Sequence, residues 1–338
     1  MSFFGSIRLP VRRWTVTGAA GFIGSNLVES LLALGQEVTG LDSFASGSRS
    51  NLEDALSPLT EEQRSRFTFV EGDIRSPEAC GAACRGTWAI LHHAALVSVP
   101  LSMEQPRLTL EVNVGGFGNI LEASRRNGCR VVFASSSAVY GDAAGLPKRE
   151  SSPLAPQSPY GLSKRENEEW ASLYWKCYGV PTVGLRYFNV YGPRQDPGGA
   201  YAAVIAAWAD AVSAGRAGTV YGDGTASRDF CFVADVVQAN ILAASAGEEA
   251  FGQVFNVASG SPVSLLELYG RIQEAAGRPG AAAAPRFAPP RQGDILHSSA
   301  DISKAREVLR YAPEFSLGEG LSLLFKRRNA GTEGPLRG

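Results

Sequence analysis

The sequence has no surplus of charge: 32 lysines and arginines stand against 33 aspartates and glutamates, with no long basic stripe. A protein that grips phosphate backbones gathers positive charge on one face, so nucleic acid is set aside and a small ligand is expected. Histidines number three and cysteines five, and Cys80, Cys84, Cys129, Cys177 and Cys231 contain no CxxC pair. That set offers neither a disulfide framework nor a structural zinc site, so no metal is expected and the cysteines read as free thiols. Apolar runs stay short of bilayer length, and the opening MSFFGSIRLPVRRW lacks the charged head, apolar core and small-residue cleavage site of a secretion leader. The expectation is a cytoplasmic protein without membrane association. No repeat of solenoid length is visible.

What is present is core: 44% of 338 residues are hydrophobic. From Trp14 onward, short apolar runs (WTVT, EVTGL, FTFV, AILH, RVVFA, PTVGL) alternate with longer segments of helical spacing. Parallel strands need crossover helices, so this alternation predicts an α/β protein, a Rossmann-type doubly wound parallel sheet. The Gly, Pro and Ala-rich stretches GPRQDPGGAY and GRPGAAAAPRFAPPRQG predict a smaller, interleaved C-terminal α/β substrate domain. The expected division assigns 1–187 with about 229–259 to the first domain and 188–228 with about 260–325 to the second. Residues 326–338 are expected to be a mobile tail with a solvated KRR run.

The stretch WTVTGAAGFIGSNLVESLLALG sets Gly18, Gly21 and Gly24 between an apolar strand and an amphipathic helix. Gly18 permits a tight turn, Gly21 lets backbone amides approach a pyrophosphate, and Gly24 lets helix and strand pack closely. The second strand ends in Asp42, a carboxylate that accepts from both ribose hydroxyls and repels a 2′-phosphate, which favours NAD over NADP. The expected cofactor set adds Phe22 and Ile23 at the helix start, Ser46 and Gly47 after the second strand, and Ala94 and Ala95 after the fourth. Asp73 and Ile74 of EGDIR stand where the chain would pass the adenine, although Asp73 also suits a turn cap.

Further along come LHHAAL, EVNVGG, ASSSAVYGD and SPYGLSK, in the order in which strand ends of a parallel sheet build a site. Tyr160 is a poor base at its ordinary pKa of about 10, and Lys164, one helical turn on, is expected to lower it. Ser136, four residues before the tyrosine of VYG, is the expected partner of the same substrate oxygen, with Ser137 open as the alternative. This set is general acid/base chemistry coupled to hydride transfer. Asn113 is expected to order a helix or water chain beside the nicotinamide, with a plain helical role equally open, and His92 and His93 read as packing residues.

The spacing GxxGxxG, together with FVEGDIR, AALVSVPLS, LRYFNVYGPRQDPGGAYAAVI, GDGTASRDF and RQGDILHSSAD, resembles the extended short-chain dehydrogenase/reductase family. Within it the chain is most similar to bacterial UDP-N-acetylglucosamine 4-epimerases that supply surface polysaccharide synthesis. The resemblance implies Ser136, Tyr160 and Lys164 as catalytic residues and Tyr187 beside a tightly held NAD. It implies Ser98, Ser136, Ser137, Asn189, Ala203, Val204, Tyr221, Arg228, Arg291, Asp294 and Ser298 around a UDP-sugar. It also implies a homodimer formed through the helices around 107–126 and 159–178. Family members that dehydrate sugars carry carboxylates on the serine strand, whereas this chain has Ser136, Ser137 and Ala138 there. Where relatives restricted to UDP-glucose and UDP-galactose carry a bulky tyrosine, Ser298 implies room for an N-acetyl group. A UDP-glucuronate 4-epimerase and a non-catalytic NAD or sugar-nucleotide sensor are the competing readings.

Overall fold

The first strand, β1 (Arg13–Thr17), buries Trp14, Thr15, Val16 and Thr17. Such a run, buried on both faces, suits a strand covered by helices on both sides. This computed structural model describes residues 9–198, 203–277, 284–290 and 296–332, so Arg291 and Asp294 lie outside the described residues. After β1 come β2 (Glu37–Asp42), β3 (Phe67–Glu71), β4 (Ala89–His92), β5 (Arg130–Ser136), β6 (Thr182–Tyr187) and β7 (Gln253–Val257). They form one sheet in the order β3-β2-β1-β4-β5-β6-β7, every pair parallel. This is a Rossmann-type doubly wound sheet, and its order reverses between β1 and β4. Register places Thr17 beside Leu41 and His92, and Ser136 beside Tyr187. The carboxyl ends therefore line one edge.

Helices α1 (Phe22–Ala33), α2 (Gly116–Asn127), α3 (Pro159–Tyr178), α4 (Val204–Ser213), α5 (Val233–Ser245), α6 (Leu265–Ala275) and α7 (Leu317–Thr332) matter most here. Along β5, Val132 joins the cluster packed on α1 and α5, while Val131 and Phe133 join the one packed on α2 and α3. Period-two alternation thus feeds two cores from one strand. Helix α3 begins sharply because Ser158 accepts from the Gly161 amide at 3.1 Å and Pro159 follows it. It ends on Gly179 at φ 66°, the left-handed conformation that releases the chain into β6.

A third core gathers Tyr191, Trp208, Val220, Phe230, Phe232, Tyr269, Leu321 and Phe325 from segments far apart in sequence. Its ladders are short: Val190–Tyr191 with Cys231–Phe232, Thr219–Tyr221 with Arg286–Ala288, and Ser227–Arg228 with Val263–Ser264. Phe22 and Ile23 at the start of α1 pack against it, so one helix touches both halves of the molecule. The expected tail needs correction, because α7 continues to Thr332. Arg327 pairs with Glu29 at 3.2 Å and Asp54 at 3.1 Å, and Arg328 with Asp210 at 3.0 Å, so carboxylates on other helices hold the KRR run in place. No described helix is long and apolar enough to cross a membrane.

Candidate active site

At the point where strand order reverses, the chain turns at Gly18 with φ 68°. A Cβ there would stand 2.8 Å from the Ala94 amide nitrogen, and one on Gly24 would overlap the Gly18 carbonyl. Both glycines are required by close backbone approach. Helix α1 then opens on Gly21 without a side-chain cap and with no acidic residue in its first turn. Its donor end is left for an external anion, and the helix dipole favours a negative charge there. Asp42 is buried and accepts the Ala20 and Phe44 amides at 2.9 and 2.7 Å, one on each oxygen, leaving a further acceptor position on each. Gly47 lies against Ala20, where a Cβ would come within 2.8 Å, and Ser46 beside it is exposed. Thr17 Oγ1 receives the His93 and Ala94 amides at 3.2 and 3.1 Å, which fixes the start of the loop carrying Ala94 and Ala95.

Asp73 accepts the Arg75 amide at 2.8 Å and pairs with its guanidinium at 2.7 Å, which holds its carboxyl below the ordinary range. Ile74 is buried against Gly116. Asn113 sits in a π-helical turn, Glu111–Gly115, a wide coil frequent at functional sites. Its amide bonds both backbone groups of Leu96, at 2.8 and 3.0 Å, and reaches Ser163 Oγ at 3.0 Å. It therefore ties the loop after β4 to the helix that carries Tyr160. Ser98 caps the short helix Val99–Glu104, whose Ser102 hydroxyl accepts the Tyr160 amide at 3.2 Å.

Tyr160, Ser136 and Lys164 come together where β5 ends and α3 begins. Gly161 makes this possible, since a Cβ there would lie 2.8 Å from the Ala138 carbonyl. Burial holds the pKa of Tyr160 above its ordinary value, and a hydrogen bond from the Ser136 hydroxyl offsets only part of that rise. Lys164 is 2% exposed, and burial lowers its pKa to about 8. Its ammonium donates to the Ala134 carbonyl at 2.9 Å and lies 5.8 Å from the centre of the Tyr160 ring. The expectation that lysine lowers the tyrosine's pKa is not met by the chain alone, because burial dominates and the ammonium is drawn to the strand. Ser135, one residue earlier, points the other way and donates to Glu168 Oε1 at 2.5 Å. Tyr187, at the end of β6, engages His93 Nε2 at 2.9 Å and receives Asn240 Nδ2 at 2.8 Å through its hydroxyl.

In the second half, Asn189 adopts φ 28°, an uncommon conformation for a residue with a Cβ, and is half-buried. Arg228 donates from Nη1 to the carbonyls of Ser227 and Leu296, at 2.9 and 3.0 Å. The Ser298 amide donates to the Ser227 carbonyl at 3.0 Å, so the segment carrying Ser298 runs beside Arg228. Ala203 and Val204 form the uncapped start of α4, and Tyr221 ends a short strand, half-buried.

Residues 14–258 match the NAD dependent epimerase/dehydratase family. The chain belongs to that family. Among this epimerase/dehydratase family, a UDP-glucose 4-epimerase of Mycolicibacterium smegmatis is 41% identical over 92% of this chain and 96% of its own. A solved UDP-N-acetylglucosamine 4-epimerase from Methanobrevibacter ruminantium, in complex with UDP-N-acetylmuramic acid, superposes with a TM-score of 0.87 at 33% identity, covering 96% of this chain and all of that one. A Thermus thermophilus UDP-glucose 4-epimerase in complex with NAD superposes with 0.81 at 38% identity, over 94% of this chain and 99% of that one. The residues present fit the family's NAD: an open helix N-terminus, a glycine cradle that a Cβ would fill, and Asp42 with acceptor positions to spare.

Two parts of this epimerase/dehydratase framework escaped the sequence reading. Glu168 and Arg186 form a buried pair, Oε2 to Nη2 at 2.6 Å and Oε1 to Nε at 2.8 Å, behind the serine strand. Burial opposes the charge on Arg186, yet the hydrogen bonds and charge of Glu168 outweigh it and keep the guanidinium protonated. Helical spacing was the available signal, because Glu168 lies four residues beyond Lys164 on the inward stripe of α3. Arg194 is the second, a loop arginine whose planar fork would suit a pyrophosphate. Instead it binds Glu29 at 2.7 Å, Asp54 at 2.8 Å, Ser25 Oγ at 3.0 Å and Asn26 Oδ1 at 2.7 Å, with its side chain 4% exposed. It fastens the second half onto α1, and no local spacing signals such a contact.

Proposed function

We propose that the protein interconverts C4 epimers of a UDP-hexose, with UDP-N-acetylglucosamine and UDP-N-acetylgalactosamine as the main pair and UDP-glucose and UDP-galactose as a second pair. The observation that carries this reading is the Tyr160 phenol, bonded to Ser136 and one turn from a buried Lys164, at the sheet edge that also bears the glycine loop. NAD held by the Gly18–Gly24 loop and Asp42 would supply reversible hydride transfer at C4. Tyr160 takes the proton from the C4 hydroxyl as the 4-keto sugar forms and gives it back as the sugar is reduced. Ser136 holds the same oxygen by donating to it, with Ser137 next in line. Lys164, still an ammonium below its lowered pKa of about 8, faces the Tyr160 phenolate that takes the C4 hydroxyl proton and that re-forms when the proton is given back, and bound NAD would add its positive charge to the same end. The strand end offers no carboxylate for elimination, since Ala138 follows the two serines, which favours epimerisation over dehydration.

On the sugar side the reading assigns Ser98, Asn189, Ala203, Val204, Tyr221, Arg228, Arg291 and Asp294 to the UDP-sugar, and Ser298 to the space beside its C2 substituent. A small residue there leaves room for an N-acetyl group. The exposed Leu162, Trp170, Leu173 and Tyr178 of α3, each 45–57% exposed, favour pairing of two copies through this helix. Purified protein is incubated separately with UDP-N-acetylglucosamine, UDP-glucose and UDP-glucuronate without added NAD, and the products are separated. The reading expects fastest turnover of the N-acetylated sugar. Turnover of UDP-glucuronate alone would replace it with the glucuronate reading, and no turnover of any of the three would favour the sensor.

A further inference from the structure

Asp229 is 0% exposed, and the proposed chemistry does not use it. Its Oδ1 accepts the Ser259 amide at 2.9 Å, the Ser259 hydroxyl at 2.6 Å and the Gly260 amide at 3.2 Å. Its Oδ2 accepts the Gly260 amide at 3.1 Å and the Ala300 amide at 3.5 Å. Gly260 has φ 76°, which lets two successive amides converge on one carboxylate, the geometry of an anion-holding nest. On its backbone side, the Asp229 carbonyl accepts Asn189 Nδ2 at 3.3 Å, and Cys231 N donates to the Asn189 carbonyl at 3.2 Å. Ser227, two residues back, donates from its amide to Leu296 O at 2.9 Å and accepts from Ser298 N at 3.0 Å. Segments around 189, 260 and 298 therefore converge on the short stretch 227–231, and these contacts join residues up to 71 positions apart.

Two of the three converging segments, and the stretch on which they meet, carry residues assigned above to the sugar-nucleotide side of the site. Asn189 comes from the loop after β6, Ser298 from the segment ending at Ala300, and Arg228 is Asp229's own neighbour. The ladders in this half are two or three residues long, too short to hold three loops in register by themselves. A buried carboxylate that accepts several amides is a stiffer fastening, because each hydrogen bond to a charged acceptor is about twice as strong as a neutral one.

We propose that Asp229 is the positioning residue of the sugar-nucleotide side: its carboxylate locks 259–260 and 300 to 227–231, so that Asn189, Arg228 and Ser298 keep the spacing at which a pyrophosphate and its sugar are held. This rests on the function proposed above. It makes Asp229 a determinant of substrate binding that touches no substrate atom, and it separates that binding from cofactor retention, which belongs to the glycine loop.

The test compares Asp229→Asn and Ser259→Ala with the unaltered protein, each purified with its own cofactor. UDP binding is measured by calorimetry, bound dinucleotide by absorbance after extraction, and KM and kcat with UDP-N-acetylglucosamine. In Asp229→Asn an amide group would face backbone N–H donors, so UDP affinity should fall and KM rise by about tenfold or more, with kcat within about threefold and dinucleotide content unchanged. Ser259→Ala keeps the carboxylate and removes one bond, so KM should rise about threefold. Wild-type KM and UDP affinity in a folded Asp229→Asn protein would overturn the proposal, as would a parallel loss of KM, kcat, cofactor and melting temperature, which is general loosening. If Asp229→Asn does not fold, an unchanged KM in folded Ser259→Ala overturns it. An unaltered protein that fails to bind UDP sinks the proposed function itself, whereas one that binds UDP as well as Asp229→Asn does sinks only the role of Asp229.

Discussion

The two halves of the molecule hold their functional residues by different means. In the first, a seven-stranded parallel sheet delivers Thr17, Asp42, His92, Ser136 and Tyr187 to one edge through strand register. In the second, ladders of two or three residues leave the work to side chains such as Asp229 and Arg194, which bond to segments remote in sequence. Regular backbone pairing positions the groups proposed to act on the reacting carbon, while knots of polar side chains position those proposed to hold the rest of the substrate. Damage to the first half should therefore appear in kcat, in cofactor content or in global stability, and damage to the second in KM and substrate choice.

The sharpest way to break this contrast is Tyr160→Phe. Loss of the acid/base group should lower kcat by about 10²–10⁴-fold with bound dinucleotide unchanged, measured by steady-state assay and extraction. Next in size is Glu168→Gln, which leaves the Arg186 guanidinium buried without its charge partner. It should cost about 3–5 kcal/mol by denaturant unfolding, and Ser135→Ala in the same network about 1 kcal/mol with near-normal kcat. A kcat loss in Ser135→Ala as large as in Ser136→Ala would contradict the opposite pointing of the two serines.

Lys164 allows a pH test. Its pKa falls from 10.5 to about 8 on burial, so the native state binds fewer protons than the unfolded state between those values, and this group's contribution to stability rises with pH across that window. Below about pH 8 the buried ammonium costs on the order of 3 kcal/mol. Lys164→Met should therefore abolish turnover yet raise the melting temperature in neutral buffer, with the margin shrinking from pH 8 towards 10. A margin that stays constant over that range would count against the buried charge. A change in substrate choice is the test for the second half. Ser298→Tyr should lower kcat/KM for UDP-N-acetylglucosamine relative to UDP-glucose by about tenfold, and equal effects on both sugars would remove Ser298 as the gate.

Much of the first half was legible in the sequence because its signals are local. Runs such as WTVT and RVVFA are short and apolar because both faces of the sheet are covered. Tyr160 and Lys164 share one helix face, and the required φ of Gly18 announces itself as glycine. Strand period also explains why Ser135 and Ser136, equivalent by composition, go to different fates. What could not be read were contacts between distant positions. Arg194 meets Glu29 across 165 residues, and Arg327 meets the same carboxylate across 298, so the KRR run that looked like the start of a tail belongs to a helix held by remote carboxylates. Spacing placed Lys164 beside Tyr160, but it gave no sign that the ammonium also bonds the Ala134 carbonyl, which belongs to a strand 30 residues earlier. An acid directly before the apolar run FCF was the available sign that Asp229 is buried.

In the proposed reaction one hydride leaves C4 and returns to it within a protein that keeps its own NAD. UDP-N-acetylglucosamine deuterated at C4 is incubated with purified protein without added cofactor, and the product is examined by NMR and mass spectrometry. The account predicts UDP-N-acetylgalactosamine with deuterium retained at C4. Deuterium lost to solvent in that product, or no C4 epimer in the absence of added NAD, would contradict it.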